Sequence, residues 1–316
     1  MNRASLNERL TELESRLHAA EPQLSLIRNA PMARYTTLHL GGPADLLASP
    51  GSPMQLQLLL KTAHALDVPV IIMGNGSNLL VKDGGVRGLV IRLCREMQHI
   101  EVRGNILRAE AGAMMGTVSM AAAEANLAGL AFASGIPGTV GGGVYMNAGA
   151  YGGEMSQVVC LVEGFDMTGE AFRYTGEEMA FRHRYSRLMD EDKIITHVSF
   201  LLQPGNRDAL LAEMVDYNTR RAEKQPLTQY SAGSTFKRPA NGYASAMSDQ
   251  CGLKGFTVGG AQVSEKHAGF CINLGGTAVD FLALMAQVQR IVQEKFDVLL
   301  EPEVQILGED APVSEA

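Results

Sequence analysis

The chain has 316 residues, of which 46% are hydrophobic and 19% charged, and its formal net charge is −7. This hydrophobic fraction can bury a full core, so disorder is not expected, and the length corresponds to about two to three domains. Binding to nucleic acid needs a basic face that neutralises phosphates, so this acidic balance excludes nucleic acid as the main partner.

The cysteines and the first residues indicate the compartment. Cys94, Cys160, Cys251 and Cys271 are widely spaced and form no CxxC pair, which predicts reduced thiols and no metal site. Residues 1–10 are charged throughout, and no apolar run approaches the ~20 residues of a membrane span. We therefore expect a cytoplasmic protein without a membrane partner.

The N-terminal elements follow from spacing and capping signals. A strand, a glycine turn and a second strand are predicted over residues 36–48, and Ser52 and Pro53 then start a helix that ends near Asp67. Before them, leucines at helical spacing predict an amphipathic helix that packs on its own chain, with a partner-binding helix as the alternative: Leu6, Leu10, Leu13 and Leu17.

A first glycine loop follows a buried strand at residues 69–73. It consists of Gly74, Asn75, Gly76, Ser77 and Asn78, and residues 79–81 continue as a strand. Such a loop offers backbone N–H groups to an anion, although it matches neither a Walker loop nor GxGxxG. Alone it is also compatible with an ordinary turn.

A second glycine stretch at residues 131–153 contains eight glycines among 23 mostly small or apolar residues. Because glycine lacks a Cβ, backbone in this stretch can approach a ligand closely. Residues 134–139 lead into a segment that could open a helix, whose free N–H groups suit a phosphate. A close-packed glycine turn without a ligand is the alternative.

The elements between and after these loops mix hairpins with single helices, which predicts an α+β fold. Before residue 204 they are a strand at 88–93, hairpins at 100–110 and 160–174, helices at 117–126 and 176–181, and a strand at 194–202. The next elements are a helix at 206–221, a linker at 224–226 and strands near 256–263 and 269–273. A long helix then begins at a capping box formed by Thr277 and Asp280. A strand at 298–307, interrupted by Pro302, and a polar tail at 309–316 end the chain. The long helix is expected to bury a stripe of Val279, Leu282, Met285, Val288, Ile291 and Val292.

Six motifs carry a resemblance to a known family. They are Gly41-Gly42-Pro43-Ala44-Asp45, residues 74–80, residues 134–153, Arg184-x-Ser186, residues 231–239 and residues 300–304. In this order they resemble the UDP-N-acetylenolpyruvoylglucosamine reductases, which are FAD- and NADPH-dependent enzymes of peptidoglycan precursor synthesis. The resemblance covers roughly residues 31–308 and fits the subtype that lacks an extra loop in the substrate domain.

The resemblance implies a fold and a domain order. It implies a two-part flavin-binding module of the vanillyl-alcohol oxidase type and a smaller α+β substrate-binding domain. The expected segments are an N-terminal helix packed on the body at 1–30, the FAD-binding module at 31–203 with a sub-boundary near 96, a helix and linker at 204–225, the substrate-binding domain at 226–300, and a C-terminal strand with a catalytic glutamate and a frayed tail at 301–316. We also expect a monomer.

The resemblance further implies three catalytic residues. Arg184 matches an arginine that steadies the enolate formed when the enolpyruvyl substrate takes a hydride, since its rigid donor fork always carries positive charge. Ser234 matches the donor of the proton that quenches the carbanion. Glu303 matches a glutamate that hydrogen-bonds the same group or orients its partners. Each alone is more often structural, and their ordered coincidence with two glycine loops favours catalysis.

The remaining implied contacts belong to the cofactor and the substrate. Noncovalent FAD would be held by both glycine loops, through Gly74, Asn75, Gly76, Ser77, Asn78, Ser134, Gly135, Ile136, Gly138, Thr139 and Gly149, with NADPH as co-substrate. Tyr151 matches a tyrosine at the flavin–substrate boundary, and Lys237 and Arg238 match contacts to the substrate diphosphate. Gln305 is a departure, because many relatives have arginine there.

Two other functional classes remain open at this point. One is a different flavoenzyme on the same module, such as an oxidase of small alcohols. The other is a non-catalytic nucleotide- or flavin-binding protein, which would not need Arg184, Ser234 and Glu303 together. Bleaching of a yellow protein by NADPH would discriminate between these classes.

Overall fold

The computed structural model describes residues 3–311, and these residues form two compact units. Unit 1 is built from residues 3–28, 46–75 and 88–220, and unit 2 from residues 29–45, 76–87 and 221–311. The domain order expected from the sequence is consecutive along the chain, whereas these units interleave. That functional division remains a prediction.

The helices and strands of the described chain alternate in an α+β order. The helices are α1 (Arg3–Ala20), α2 (Pro53–Ala65), α3 (Met115–Glu124), α4 (Val140–Tyr145), α5 (Arg207–Lys224), α6 (Ala244–Gln250) and α7 (Ala278–Phe296). The strands are β1 (Ser25–Pro31), β2 (Pro43–Ser49), β3 (Val70–Met73), β4 (Leu79–Val81), β5 (Val86–Arg92), β6 (Ile100–Arg103), β7 (Ile106–Glu110), β8 (Leu127–Ala128), β9 (Gly149–Ala150), β10 (Gly153–Glu154), β11 (Val159–Asp166), β12 (Ala171–Thr175), β13 (Lys193–Leu201), β14 (Gln203–Pro204), β15 (Tyr230–Ser231), β16 (Thr257–Val258), β17 (Ala261–Val263), β18 (Cys271–Asn273) and β19 (Gln305–Leu307).

The main sheet of unit 1 is antiparallel and has the strand order β12-β11-β13-β7-β6. Both predicted hairpins lie in it, as β6–β7 and β11–β12. Helix α4 packs on β7 and β13, which fixes the second glycine stretch against this sheet. A further sheet has the order β1-β2-β5-β3, and its β3 and β5 pair in parallel.

The first two helices of unit 1 confirm their sequence signals. Ser52 Oγ accepts a hydrogen bond from the Gln55 N–H at 3.2 Å, as expected of the N-cap of α2. Helix α1 packs on α2, and its four predicted leucines are buried in the core of the unit. No helix within residues 3–311 is long and apolar enough to cross a membrane.

Unit 2 is built around an antiparallel sheet with the order β15-β18-β17-β16, which α7 covers. The capping box of α7 is present: Thr277 Oγ1 accepts from the Asp280 N–H at 3.1 Å, and Asp280 Oδ2 accepts from the Thr277 N–H at 2.9 Å. Strand β19 pairs in parallel with β4, so the C-terminal segment lies beside the strand that leaves the first glycine loop.

Two predicted elements are absent from the described structure. Residues 36–40 form a turn instead of a strand, because His39 has a φ of 53° and its N–H bonds to the Thr36 carbonyl oxygen at 3.2 Å. Residues 176–180 form turns instead of a helix, and Ala180 has a φ of 47°, which a right-handed helix does not allow. Strand β1 was not predicted from the sequence.

The C-terminal predictions were correct only in part. The strand predicted over residues 298–307 is restricted to β19, because the segment before it, around Pro302, makes a bridge to Phe236 instead. In α7, Val279 is 57% exposed, because the buried face of the first two turns runs through Ala278, Phe281 and Leu284.

The tail, predicted to be frayed from residue 309, is ordered at its start, because the Glu309 N–H donates to the Gly85 carbonyl oxygen at 2.9 Å and Asp310 pairs with Lys82 at 3.0 Å. Residues 312–316 of the predicted tail lie outside the described residues.

Candidate active site

The start of the first glycine loop lies against the second glycine loop within unit 1. A Cβ added at Gly74 would come within 2.3 Å of Thr139 Oγ1, so the first loop passes the second at backbone distance. Asn75 Nδ2 then donates to the Pro137 carbonyl oxygen at 2.8 Å. The structure therefore brings together these residues of the predicted cofactor set, and it gives Gly74 a packing reason to be glycine.

The buried hydroxyl of Ser134 is the feature of this region that fits a bound cofactor. Its Oγ is buried and has no hydrogen-bond partner within residues 3–311. A buried hydroxyl left unpaired costs about 1–3 kcal/mol, so an acceptor or donor from a ligand is its natural partner. Gly135, Ile136 and Gly138 continue from it to Thr139, where α4 begins as predicted. A small-residue loop with an unpaired buried hydroxyl fits the polar groups of FAD.

The last residues of the first loop belong to unit 2. Gly76 has a φ of 67°, and a Cβ there would meet the Tyr35 carbonyl oxygen at 2.1 Å, so only glycine fits. Asn78 Nδ2 donates to the Glu303 carbonyl oxygen at 3.1 Å, and the Asn78 carbonyl oxygen accepts from the Gln305 N–H at 2.9 Å. Asn78 thus holds the segment that carries Glu303, and contacts of Ser77 and Asn78 with the cofactor stay predictions.

Arg184 lies in a tight turn of unit 1. The N–H groups and carbonyl oxygens of Arg182 and Tyr185 bond reciprocally at 3.0 and 3.1 Å, and Arg184 between them has a φ of 53°. The Cβ of any residue other than glycine disfavours this left-handed conformation, so the surroundings must impose it. The guanidinium donates to the carbonyl oxygens of Asn147 at 3.5 Å and Gly149 at 3.3 Å. Two backbone acceptors therefore orient the half-buried cation.

Charged and aromatic side chains support the far end of this turn. Arg187 lies 4.4 Å from the centre of the Tyr174 ring, and it also pairs with Glu191. Hydrogen bonds from the Lys193 ammonium and then the Arg187 guanidinium lower the pKa of Glu191 from 4.5 to about 2. At neutral pH this carboxylate is charged and holds both cations.

Gly149 and Tyr151 belong to the same loop region as the Arg184 acceptors. A Cβ at Gly149 would lie 2.7 Å from the Gly153 carbonyl oxygen, which explains glycine there without a ligand. Tyr151 has a φ of 53°, and its ring stacks on Tyr217 with a centroid distance of 4.4 Å. Its Oη donates to the Tyr217 carbonyl oxygen at 3.0 Å. Helix α5 therefore fixes the orientation of the predicted boundary tyrosine.

Ser234 and Glu303 are brought together in unit 2 by backbone pairing. The Glu303 N–H donates to the Thr235 carbonyl oxygen at 2.9 Å, and the Lys237 N–H donates to the Glu301 carbonyl oxygen at 2.8 Å. Thr235 is buried, while the preceding Ser234 is exposed and Glu303 is half-buried. The two predicted catalytic groups thus flank one short antiparallel ladder.

The two predicted diphosphate contacts extend from the same ladder. Lys237 Nζ lies 3.3 Å from Glu301 Oε2 in an exposed ion pair. The Arg238 guanidinium stacks over the Tyr243 ring at 4.0 Å, and its Nε donates to the Gly242 carbonyl oxygen at 3.3 Å. Stacking restricts the orientation of the planar guanidinium of Arg238, which suits recognition of phosphate.

A cavity of about 260 Å³ in unit 2 begins at the same Tyr243. Lys254, Lys266 and His267 line it together with Asp249, which pairs with Lys254 at 2.9 Å, so its wall is polar and carries charges of both signs. Burial lowers the pKa of His267, so its imidazole is neutral at pH 7. Such a cavity can take part of a polar ligand.

Sequence reasoning missed three residues that shape these sites. Asn147 holds the Arg184 turn, Tyr217 orients Tyr151, and Tyr243 supports Arg238. Asn147 lies inside the second glycine stretch. Its amide among small and apolar residues was the sequence signal that could have identified it. The aromatic pairs join residues far apart in sequence or rely on a loop conformation, and no local pattern announces them.

Comparison with known proteins matches both parts of the chain. Residues 44–175 match the FAD binding domain family, and residues 225–307 match the UDP-N-acetylenolpyruvoylglucosamine reductase, C-terminal domain family. The UDP-N-acetylenolpyruvoylglucosamine reductase of Limosilactobacillus fermentum is 45% identical over 91% of this chain and 96% of its own length. The protein of that name from Caldanaerobacter subterraneus is 46% identical over 90% and 94%.

A solved structure agrees with these matches. The crystal structure of UDP-N-acetylenolpyruvylglucosamine reductase from Thermus caldophilus has a TM-score of 0.77 to this chain at 35% identity, and it covers 90% of this chain and 99% of that one. Fold and loops together define an FAD-dependent oxidoreductase with an α+β architecture, as predicted. The chain belongs to the UDP-N-acetylenolpyruvoylglucosamine reductase family, which confirms the resemblance seen in its motifs.

Proposed function

We propose that this protein reduces the enolpyruvyl group of UDP-N-acetylglucosamine enolpyruvate to the lactyl ether, giving UDP-N-acetylmuramate, with NADPH as electron donor. The observation that carries the proposal is the presence of both family domains in one chain, at residues 44–175 and 225–307. An oxidase of small alcohols would not need the second domain. The resulting product is a precursor of peptidoglycan.

The cofactor is FAD, held noncovalently by the two glycine loops. When bound, it supplies hydride chemistry between NADPH and the enolpyruvyl methylene. The unpaired Ser134 Oγ and the close approach of Gly74 to Thr139 support this placement. The residues assigned to the cofactor are Gly74, Asn75, Gly76, Ser77, Asn78, Ser134, Gly135, Ile136, Gly138, Thr139 and Gly149.

Arg184, Ser234 and Glu303 divide the rest of the chemistry. Hydride addition at the methylene leaves negative charge that delocalises into the substrate carboxylate. Arg184 stabilises that charge with a guanidinium already oriented by two carbonyl oxygens. Ser234 gives its hydroxyl proton to the adjacent carbon, and Glu303, at the neighbouring rung of the ladder, orients the groups around that carbon.

Substrate binding uses the cations of unit 2 and the tyrosine of the Arg184 loop region. Lys237 and Arg238 bind the diphosphate, and the cavity lined by Lys254 and Lys266 takes part of the nucleotide. Tyr151 lines the boundary of flavin and substrate, with its ring held by Tyr217. Gln305 donates to the Glu303 carbonyl oxygen at 3.4 Å. It therefore supports the segment that carries Glu303 and does not make the charged contact that an arginine could make at this position.

We also propose a monomer that works in the cytoplasm. Cys94, Cys160, Cys251 and Cys271 are all free thiols, which fits a reducing compartment. Light scattering of the purified protein tests the monomer, and fractionation of cells tests the compartment.

The proposed function is tested on the purified protein. The protein should be yellow, acid precipitation should release FAD into the supernatant, and NADPH should bleach the bound flavin. NADPH consumption should then depend on UDP-N-acetylglucosamine enolpyruvate. Bleached protein that reoxidises with oxygen alone and ignores this substrate would contradict the proposed reaction.

A further inference from the structure

Asn147 is a buried amide that joins two segments next to α4. Its side chain has no exposed surface, and both ends of the amide are satisfied. Nδ2 donates to the Arg182 carbonyl oxygen at 2.9 Å, and Oδ1 accepts from the Ser156 N–H at 2.9 Å. One side chain therefore fixes the turn that carries Arg184 to the loop that follows the second glycine stretch.

The backbone of Asn147 contacts the guanidinium itself. The Arg184 guanidinium donates to the Asn147 carbonyl oxygen and to the Gly149 carbonyl oxygen. The side chain of Asn147 thus holds the start of the turn while its carbonyl holds the head of the arginine. Ser186, at the end of the turn, is also tied to this region, because its Oγ donates to the Tyr145 carbonyl oxygen at 2.6 Å.

The residue type matches the geometry. Asn147 has a φ of 45°, and asparagine tolerates this left-handed conformation better than most residues. The site needs a donor toward Arg182 and an acceptor toward Ser156 at once, which an amide supplies and a carboxylate does not. Leucine of similar volume would leave both backbone groups without their partner, at the cost of two buried hydrogen bonds.

We propose that Asn147 is a positioning residue for the reduction, and that it acts by holding the Arg184 guanidinium at the angle at which it meets the developing enolate. This inference rests on the proposed function. A displacement of about 1 Å at a positioned group can lower a rate by roughly 10²-fold, so a side chain that never touches the substrate can still set the rate.

The test uses the full-length holoenzyme and Asn147→Ala, alone and combined with Arg184→Ala. Asn147→Ala should retain FAD and be reduced by NADPH within about twofold of the wild-type rate, whereas reoxidation by UDP-N-acetylglucosamine enolpyruvate should slow by roughly 10–100-fold. In the Arg184→Ala background the same change should slow reoxidation by no more than about twofold, because residues that act as a unit are not additive. Calorimetric titration with UDP-N-acetylmuramate should show weaker binding for Asn147→Ala.

Asn126→Ala is the matched control. Asn126 also has a positive φ, 57°, and its Oδ1 accepts from the Arg207 N–H at 3.2 Å, but it lies at the end of α3. Asn126→Ala should leave the rates of both half-reactions unchanged. Equal slowing of both half-reactions by Asn147→Ala, or a full additive effect in the double variant, would overturn the proposal.

Asn147→Asp covers the case in which alanine prevents folding. Aspartate keeps the acceptor for Ser156 and tolerates the left-handed conformation, but it loses the donor to Arg182. The same selective slowing of reoxidation is expected. Normal reoxidation, or loss of folding in both variants, would overturn the positioning role. A wild-type enzyme that does not use the enolpyruvyl substrate would instead remove the proposed function, and the positioning role with it.

Discussion

The Arg184 turn of unit 1 and the Ser234–Glu303 ladder of unit 2 present their side chains in opposite ways. Arg184 is held in a left-handed conformation by side-chain hydrogen bonds and by carbonyl acceptors for its own guanidinium. Ser234 and Glu303 flank an ordinary antiparallel pairing, in which main-chain hydrogen bonds set the spacing.

The two regions should therefore respond differently to side-chain substitution. A ladder made of backbone hydrogen bonds keeps its geometry when a side chain is replaced, so variants at Ser234 should report on chemistry alone. A strained turn depends on the identity of its own residues and of the side chains around it. Variants there should change conformation and chemistry together.

The largest expected effect belongs to the ladder. Ser234→Ala should fold, bind FAD and be reduced by NADPH at close to the wild-type rate, because Ser234 is exposed and the backbone pairing of the neighbouring Thr235 is untouched. Reoxidation by the enolpyruvyl substrate should fall by 10²–10⁴-fold or more, the range for loss of a positioned proton donor. Stopped-flow absorbance separates the two phases. Ser234→Cys should recover part of the loss, and equal slowing of both phases would show that Ser234 only shapes the loop.

Replacement of Arg184 tests the strain in the turn. Arg184→Ala and Arg184→Gly should both lower the rate of reoxidation by roughly 10²–10³-fold, as expected when a charge-stabilising donor is lost. Their stabilities should differ, because glycine adopts a φ of 53° without strain and alanine does not. Urea denaturation should show Arg184→Gly more stable than Arg184→Ala by about 1 kcal/mol. Equal stabilities would mean that the turn stores no strain.

Removal of the positive charges of Lys237 and Arg238 should have an intermediate effect on the reaction with the substrate. Lys237→Ala combined with Arg238→Ala should raise the KM for the UDP-sugar by roughly 10–100-fold, the loss of two charge-assisted contacts at a partly exposed site. Reduction by NADPH should be unchanged. The matched control is Arg290→Ala with Lys295→Ala, which removes the same charge from α7. A similar rise in KM for the control would assign the effect to net charge.

The smallest effect concerns the support behind the Arg184 turn. The pKa of Glu191 is depressed from 4.5 to about 2 in the folded protein, so its contribution to stability is complete above pH 4.5 and is lost as the pH falls toward 2. Glu191→Gln should flatten this part of the pH dependence of the midpoint of thermal unfolding. Glu177→Gln, on a nearby exposed turn, should not. Parallel curves for wild type and Glu191→Gln would contradict the assignment.

Local signals predicted most of the secondary structure. Ser52 with Pro53, and Thr277 with Asp280, marked helix starts because a cap is a contact between residues three positions apart. The predicted strand at residues 36–40 failed because His39 adopts a left-handed conformation that its sequence neighbours do not announce. Strand β1 was missed because Ala30 is its one buried residue, so the strand shows little hydrophobic pattern.

The residues of the candidate site also differ in whether a local sequence pattern could predict them. Arg184, Ser234 and Glu303 were predicted from ordered motifs and stay predictions, whereas the proposed role of Asn147 depends on contacts with Arg182 and Ser156 that only the folded chain creates. The glycines gave a mixed outcome. Gly76 and Gly149 are explained by packing against the protein's own backbone, so their presence alone did not separate a ligand site from a close-packed turn.

The parallel pairing of β4 with β19 has a consequence for synthesis on the ribosome. Gln305 pairs with Leu79, so 226 residues (305 − 79) must be added after Leu79 before its partner exists. At roughly 5–20 residues per second, β4 waits about 10–45 s with an unpaired edge. An unpaired edge is a template for wrong partners, which makes β4 a candidate client for chaperones in the nascent chain. Truncation before residue 305 would make that exposure permanent.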